Sequence, residues 1–183
     1  MQAAVESTRA ELQDFEEVVR LHWRSIYRFI LASVRNVDAA RSLTQDCFLR
    51  SYFKRESFRG QASAKTWLMK IAVNLVHDFG RNRRYRFWKR LSDSGVDPSE
   101  VRDHLPDTAI SPEDQASLNE QVQMIWRASH SLPDRQKTVF LLRFVEDMDI
   151  LEIAAATGMK EGTVKIHLFR ALHTIRERLG GQR

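Results

Sequence analysis

Residues 91–116 divide the sequence into two parts, and this break limits the folds that the chain can adopt. The segment holds three of the four prolines and has no hydrophobic periodicity. Seven of its side chains are acidic and only Arg102 is basic: Asp93, Asp97, Glu100, Asp103, Asp107, Glu113 and Asp114. We therefore predict a flexible acidic linker between two separately folded halves.

The N-terminal half has the apolar spacing that is typical of helices. Residues 12–35 form one amphipathic pattern, and Asp38 is expected to cap a second helix at about 39–54. Ser63 is the expected N-cap of a third helix, at about 64–85. The predicted buried face of this third helix consists of Ala64, Trp67, Leu68, Ile71, Ala72, Leu75 and Phe79.

Helical spacing resumes after the linker, near Leu118. It restarts at Leu132-Pro133-Asp134 and continues in two shorter helices near 149–157 and 161–179, while no segment has the alternating pattern of a strand. The sequence therefore predicts an all-α fold of two small helical domains. The predicted division is an N-terminal domain at 12–90, the acidic linker at 91–116 and a C-terminal domain at 117–181.

The C-terminal domain has the spacing of a helix-turn-helix motif. Ala154 is small where two helices cross, Gly158 permits a positive φ at the turn, and Val164 anchors the second helix. On a helical wheel, the inward residues are Val164, Leu168, Ala171, Leu172 and Ile175, and the outer arc contains Lys165, Ile166, Phe169, Arg170 and His173. The helix start at Gly162-Thr163 leaves free amides for a phosphate. A plain helical hairpin is the alternative, but it leaves Phe169 on a solvated face unexplained.

A basic stripe lies on the predicted outer face of the third helix. Lys70, Asn74, His77 and Arg81 follow each other at helical spacing beside Trp67. The stripe continues into an arginine-rich end, made of Arg81, Arg83, Arg84, Arg86, Lys89 and Arg90. Basic residues among aromatic ones suit single-stranded or locally opened DNA, although such a run is also typical of a solvated helix end.

Composition excludes several classes of protein. The single Cys47 rules out an internal disulfide framework and a cysteine-rich zinc site, and it is expected to be a small buried hydrophobe. No apolar run approaches the roughly 20 residues that span a bilayer, and the acidic N-terminus does not resemble a signal peptide. We therefore expect a cytoplasmic protein without membrane insertion. The six histidines lack metal-ligand spacing, so we expect no metal, no cofactor and no enzymatic activity.

Two blocks of sequence resemble the extracytoplasmic-function (ECF) sigma factors of bacterial RNA polymerase. The segment 58–74 resembles their promoter-melting segment. Their fourth domain is similar to Leu132-Pro133, Val139 to Arg143, Glu152-Ile153-Ala154 and Gly162 to Lys165. Because both blocks occur in the expected order and separation, the resemblance implies a sigma factor that recognises −35 and −10 elements and melts the promoter.

The resemblance also implies roles for individual residues. Phe58, Gln61, Ala62, Ser63, Ile71 and Asn74 would form a pocket for a flipped −10 base, and Lys70, His77, Arg81, Arg83 and Arg84 would hold the nearby backbone. Thr163, Lys165, Ile166, Phe169 and Arg170 would face the −35 element. Leu43, Gln45, Asp46, Phe48 and Leu49 would dock on the polymerase clamp.

The implied partners are core RNA polymerase, promoter DNA and an anti-sigma factor, with the chain monomeric when free of them. The acidic linker resembles the segment that enters the polymerase toward the RNA path. This chain departs from the family at Arg41 and Ser42, where acidic residues are usual, and at Ile166 and His167, where Ser and Arg are frequent. An apolar or methyl contact to DNA is therefore expected at Ile166.

The main alternative is a stand-alone helix-turn-helix regulator that binds an operator as a dimer. Such a regulator needs a dimerisation or ligand-binding domain beside its DNA-binding module. The N-terminal half offers a basic, aromatic stripe in place of an obvious ligand pocket or coiled coil. A regulator would bind its site unaided, whereas a sigma factor would require core polymerase.

Overall fold

Three helices and one short turn make up the described part of the N-terminal half. The computed structural model describes residues 15–58, 60, 62–94 and 120–180. Helix α1 spans Phe15–Val34, α2 spans Val37–Lys54, a 3-10 turn spans Arg55–Ser57, and α3 spans Ala64–Ser94. These helices form the N-terminal module.

Four helices follow in the described residues of the C-terminal half. They are α4 at Glu120–Ser129, α5 at Asp134–Phe144, α6 at Ile150–Thr157 and α7 at Glu161–Gly180. These helices form the C-terminal module, and α6 and α7 form its helix-turn-helix. No strand occurs in the ranges that the structure describes, and the prediction of an all-α fold is confirmed.

The N-terminal caps show which polar side chains begin the helices. Ser63 caps α3 as predicted, since its hydroxyl accepts a hydrogen bond from the amide of Thr66 at 3.1 Å. The prediction for α2 was wrong, because the cap is Asn36, whose side chain accepts from the amide of Ala39 at 2.8 Å. Asp38 lies in the first turn, where its carboxylate favours the positive end of the helix dipole.

Helix α3 is longer than its hydrophobic pattern predicts, because it continues through Ser94 rather than ending near Tyr85. The apolar period in the sequence stops near Tyr85, but no glycine or proline lies between Tyr85 and Gly95. Loss of the apolar period in the sequence therefore does not mark the end of the helix. Residues 91–94 of the predicted linker are therefore helical, and 95–116 lie outside the described residues.

The core of the N-terminal module forms where α1, α2 and α3 meet. Ile26, Phe29 and Leu68 are fully buried there. Cys47 is also fully buried, with its Sγ 3.6 Å from the carbonyl oxygen of Leu68. Burial raises the pKa of this thiol to about 12, so Cys47 acts as a small hydrophobe at neutral pH, as predicted.

The predicted buried face of α3 is largely correct. Ala64, Leu68, Ala72 and Leu75 are buried, and the three aromatic or branched members, Trp67, Ile71 and Phe79, pack partly buried against the core.

The two modules pack against each other. Helix α3 contacts α6, and α1 contacts α5, so the buried apolar residues of both modules form one continuous cluster. Thr66 contacts Glu152 of α6, and Met69 lies three residues further along α3. Both are buried, although the sequence pattern places neither inside. Helix α3 therefore has two buried sides. One faces α1 and α2 of its own module, and the other faces the C-terminal module.

Candidate nucleic-acid interface

The helix-turn-helix is fixed by short-range chemistry at both ends of α6. Asp149 and Glu152 form a reciprocal capping box, with N–H···O distances of 2.7 and 2.9 Å. Gly158 ends the helix at φ +70°, which favours glycine. Val164 is then fully buried at the start of α7. Burial of this side chain sets the angle at which α7 leaves the turn.

The outer face of α7 carries the residues expected to contact the −35 element. Lys165 and Arg170 are exposed, and Thr163 is half-buried beside the turn. Ile166 is 52% exposed and Phe169 is 71% exposed, with the Phe169 ring parallel to that of His173 at 6.4 Å between centroids. The inward residues predicted from the helical wheel are buried or half-buried: Val164, Leu168, Ala171, Leu172 and Ile175.

The electrostatics around α7 are basic. The pKa of His167 is lowered, mainly because burial disfavours the charged imidazole. The neighbouring positive charges of Arg135 and Arg170 lower it further. His167 is therefore largely neutral at pH 7, and the exposed Lys165 and Arg170 supply positive charge at this surface. A basic surface with an apolar strip at its centre matches a DNA groove, whose edges are phosphates and whose floor includes thymine methyl groups.

A second polar surface follows α3. Lys70, Asn74, His77 and Arg81 are all exposed along one side of the helix, as the stripe predicts. Arg81 pairs with Asp78 at 3.2 Å. The side chains of Arg83 and Arg84 are not among those that the structure describes, although both residues belong to α3.

The residues expected to form a base pocket surround the start of α3. Ser63 is exposed, and Ala62 and Ile71 are half-buried, whereas Gln61 lies outside the described residues. Phe58 is buried against Trp67, with 5.1 Å between the ring centroids. The Phe58 ring therefore supports the wall of this region rather than presenting a free face to a base.

One cavity of about 630 Å³ brings the two polar surfaces together. Asn74 and His77 line it from α3, and Arg135, Lys160 and Thr163 line it from the C-terminal module. Asn74 and His77 of the expected −10 set and Thr163 of the expected −35 set therefore face a shared space between the modules.

Lys137 lies in the same cavity and joins the two modules directly. Its Nζ donates a hydrogen bond to the carbonyl oxygen of Ser33 at 2.9 Å. Burial lowers the pKa of this amine to about 8, and the nearby Arg35 lowers it while Asp134 opposes that shift. Lys137 is thus a partly buried amine at the contact between α1 and α5.

The residues expected to dock on the polymerase clamp lie on α2. Gln45 and Leu49 are exposed, and Leu43 and Asp46 are half-buried, with Asp46 paired to Arg50 at 2.9 Å. Phe48 is only 5% exposed and stacks on Trp23 with 5.5 Å between the ring centroids. The five residues therefore share one helix, but Phe48 supports this surface mainly by packing against Trp23.

Aromatic residues that the sequence prediction did not include complete this α2 surface. Phe15, Trp23 and Tyr52 line a depression of about 480 Å³ together with Gln45, Phe48 and Leu49. Phe53 beside it is 79% exposed. Tyr52 lies four residues after Phe48, so helical spacing on α2 was the signal that could have identified it.

No helix within the described ranges is both long and apolar enough to cross a membrane.

The two halves match two parts of one family. Residues 18–93 match the family model described as Sigma-70 region 2, and residues 122–175 match that described as Sigma-70, region 4. The first match places a promoter-recognition module where a stand-alone operator-binding regulator would need a dimerisation or ligand domain. The sigma factor interpretation is therefore favoured over the regulator.

Relatives and solved structures agree with these matches. The chain is 31% identical over 160 residues to the RNA polymerase sigma factor SigV of Bacillus subtilis, with 86% of each chain covered. It is 31% identical over 137 residues to the ECF RNA polymerase sigma-E factor of Escherichia coli, covering 73% of this chain and 70% of that one.

Among solved structures, the chain is similar to the sigma factor RpoE in its complex with the anti-sigma factor NepR from Bartonella quintana. The TM-score is 0.72 at 25% identity, over 93% of this chain and 99% of that chain. The family models, the relatives and the fold lead to the same conclusion. The chain belongs to the extracytoplasmic-function family of RNA polymerase sigma factors.

Proposed function

We propose that this sigma factor recognises its promoter through two surfaces, one on each module. The outer face of α7 reads the −35 element as duplex DNA. The segment 58–74 and the outer side of α3 capture a base of the −10 element and favour strand opening. The carrying observation is that each surface is exposed within a module whose sequence matches the corresponding sigma region.

At the −35 element, Lys165 and Arg170 contact phosphates or base edges from either side of an apolar strip. Ile166 and Phe169 form this strip, and their exposure in a free module supports a role in which DNA covers them. The expected free amide of Thr163 is not available, because it donates to the carbonyl oxygen of Lys160 at 2.9 Å. The hydroxyl of Thr163 is therefore the proposed phosphate contact at the helix start.

At the −10 element, Asn74 is the proposed reader of the flipped base. Its amide offers both donors and acceptors, which suits the Watson–Crick edge of an unstacked base. Ser63, Ala62, Gln61 and Ile71 form the surrounding pocket, which Phe58 supports from beneath. The proposed backbone contacts come from Lys70, His77, Arg81, Arg83 and Arg84.

The α2 surface is the proposed contact with core RNA polymerase. Leu49 is 58% exposed beside the aromatic depression, and an exposed apolar surface of this kind is typical of a docking site. We extend the proposed contact set of Leu43, Gln45, Asp46, Phe48 and Leu49 by the missed aromatic residues, Phe15, Trp23 and Tyr52.

Several organisational assignments belong to the same proposal. The N-terminal domain at 12–90 binds the clamp and the −10 element, the linker at 91–116 enters the polymerase, and the domain at 117–181 binds the −35 element. The protein acts in the cytoplasm and is monomeric when free of partners. The similarity to a sigma factor in complex with an anti-sigma factor supports an anti-sigma partner here.

The −10 assignment is tested by Asn74→Ala in holoenzyme with core polymerase. We expect open-complex formation to decrease about fivefold or more, because the loss of hydrogen bonds to a captured base removes about 1–3 kcal/mol. Permanganate reactivity of −10 thymines measures the opening, and native gels measure core binding, which should be unchanged.

The matched control is Asn82→Ala, because Asn82 is also exposed on α3 but lies outside the proposed pocket. This variant should open the promoter as wild type does. Equal opening by Asn74→Ala and wild type would show that the base is captured elsewhere.

A further inference from the structure

Glu146 is a buried carboxylate in the short connection between α5 and α6. Its side chain has no exposed area, while the neighbouring Asp147 is exposed. Removing a carboxylate from water is strongly unfavourable unless charged or hydrogen-bonding partners replace the water. The identity of those partners therefore shows what this residue does.

Among the described residues, the side chains that hold the Glu146 carboxylate all belong to the other module. The Ser25 hydroxyl donates a hydrogen bond to Oε2, and the Arg28 guanidinium donates from Nε to Oε1 at 2.9 Å. The Lys65 ammonium lies 3.9 Å from Oε2 and donates to the Glu146 carbonyl oxygen at 2.6 Å. Arg28 also donates to the carbonyl of Val145 at 2.9 Å.

These three side chains come from two helices of the N-terminal module. Ser25 and Arg28 lie three residues apart on α1, and Lys65 lies in the first turn of α3. A hydroxyl, a guanidinium and an ammonium around one carboxylate constitute a specific acceptor site. Other polar contacts near it also cross between the modules: Lys137 with Ser33, and Thr66 with Glu152 at 3.4 Å.

The site holds the two modules packed together, and in this arrangement they do not span the two separated elements of a promoter. Asn74 of the proposed −10 surface and Thr163 of the proposed −35 surface line the same cavity of about 630 Å³. Elements centred about 25 base pairs apart are separated by roughly 85 Å along B-form DNA, at about 3.4 Å per base pair. The two modules must therefore separate before both elements can be bound.

We propose that Ser25, Arg28 and Lys65 form a carboxylate-binding site for Glu146, and that its occupation holds the sigma factor in a closed, promoter-incompetent form. The closed form is built into the chain, because one module supplies the carboxylate and the other supplies the site. Its inhibitory effect rests on the proposed −10 and −35 surfaces, whereas the closure itself does not.

The site is placed where it can open without unfolding either module. Arg28 is 51% exposed and Lys65 is 33% exposed, so both cations return to water easily when the carboxylate leaves. Glu146 also regains its hydration in the open form. Losing the carboxylate should therefore move the equilibrium toward the open form and leave both modules folded.

The distance between the modules tests the closure directly. Nitroxide labels are attached at Ser42→Cys on α2 and Arg176→Cys on α7, both exposed positions. The native Cys47 is fully buried and stays unlabelled. Double electron–electron resonance should give one short distance in the otherwise unchanged protein, and a population at least tens of ångströms longer in Glu146→Ala and Glu146→Gln.

The matched control is Asp147→Asn, which removes the same charge from the same connection. Asp147 has φ +52°, a conformation that asparagine tolerates, and its exposed side chain makes no contact with the site. This control should keep the short distance. A long distance in the unchanged protein, or a short one in both Glu146 variants, would overturn the proposal.

Arg28→Ala approaches the same contact from the other module. It should also lengthen the distance, and combining it with Glu146→Ala should add little, because both variants remove one interaction. Additive effects would assign the changes to separate damage within each module. Circular dichroism provides the check that the helices remain folded.

Transcription by reconstituted holoenzyme tests the inhibitory consequence. Glu146→Ala should reach half-maximal run-off transcription at a sigma concentration several-fold lower than wild type and Asp147→Asn. If its distances lengthen and this concentration does not change, the closed form exists but does not inhibit, and that half of the proposal is wrong. The resonance result is unaffected by whether the promoter assignments are correct.

Discussion

Ile166 places a branched apolar side chain on the proposed −35 surface, in a position where solvent reaches half of it. In a major groove, such a side chain gains most by covering the C5 methyl group of a thymine. We expect deoxyuridine in place of the contacted −35 thymine to weaken holoenzyme binding by about 0.8 kcal/mol, or roughly fourfold. Competition binding with single-position uracil substitutions measures this.

Ile166→Ser provides the matching test on the protein side. The variant should bind the thymine and uracil promoters equally at the position that Ile166 covers. It should keep its sensitivity at any thymine that Phe169 covers. If uracil weakened Ile166→Ser as much as wild type at every position, the apolar strip would not be reading methyl groups.

Lys137 makes stability depend on pH in a direction that can be derived. Its pKa is about 8 in the folded protein and near 10.5 when unfolded. Between these values the unfolded chain binds a proton that the folded chain lacks, so stability rises with pH from about 8 to 10.5 and is flat below. The urea midpoint should therefore be higher at pH 9.5 than at pH 7.5, and Lys137→Met should lose this increment.

The control for this comparison removes the buried thiol. Burial raises the pKa of Cys47 to about 12, so the unfolded chain loses that proton first and stability falls as pH rises above about 9. Both proteins are therefore compared in a Cys47→Ala background. If Lys137→Met then retained the full pH dependence, another group would be responsible.

At the scale of single elements, the turn between α6 and α7 depends on backbone conformation alone. A Cβ added at Gly158 would meet no atom within 4 Å, but its φ of +70° strains any other residue. Gly158→Ala should therefore lower the free energy of unfolding by about 1–2 kcal/mol. Urea denaturation followed by circular dichroism gives this difference.

Gly162→Ala is the control, and we expect it to change the free energy of unfolding in the opposite direction. Gly162 lies in the first turn of α7, a Cβ there would also meet nothing within 4 Å, and its φ is not positive. Gly162→Ala should stabilise the protein by about 0.4–1 kcal/mol, because alanine restricts the unfolded chain. A loss at both glycines would indicate that crowding, and not φ, determines the cost.

The elements were predictable where local chemistry determines them. Ser63, Gly158 and the inward residues of α7 were identified correctly, because capping and helical period act within a few residues. The end of α3 was wrong, since the basic residues after Tyr85 continue a helix without continuing its apolar face. The cap of α2 was assigned to Asp38 because both Asn36 and Asp38 are good caps, and sequence alone does not choose between them.

At the scale of the whole molecule, the remaining features depend on contact between the modules, and sequence patterns do not show such contact. Thr66 and Glu146 are buried with partners from the other module, and nothing in their local spacing indicates this. The proposed DNA residues were predictable as exposed stripes, whereas Phe15 and Trp23 were not recognised on the α2 surface because they come from α1. Family membership confirms that the chain is an initiation factor and not an enzyme.

The separation of Ser25 and Glu146 by 121 residues has a consequence for synthesis of the protein. The three helices of the N-terminal module leave the ribosome before α6 exists. At about 5–20 residues per second, roughly 3–13 s pass between Ser94 and Thr157. During this interval the side of α3 that contains Met69 has no cover.

Nascent chains should therefore be most exposed to chaperones in this interval. Ribosome-bound chains that present only the N-terminal module should crosslink to a holdase more strongly than chains extended by a spacer that frees α6 and α7. Met69→Ser should reduce the difference, and equal crosslinking of short and extended chains would contradict it. The proposed promoter-melting helix is thus also one whose second buried side stays uncovered until the C-terminal module has been made.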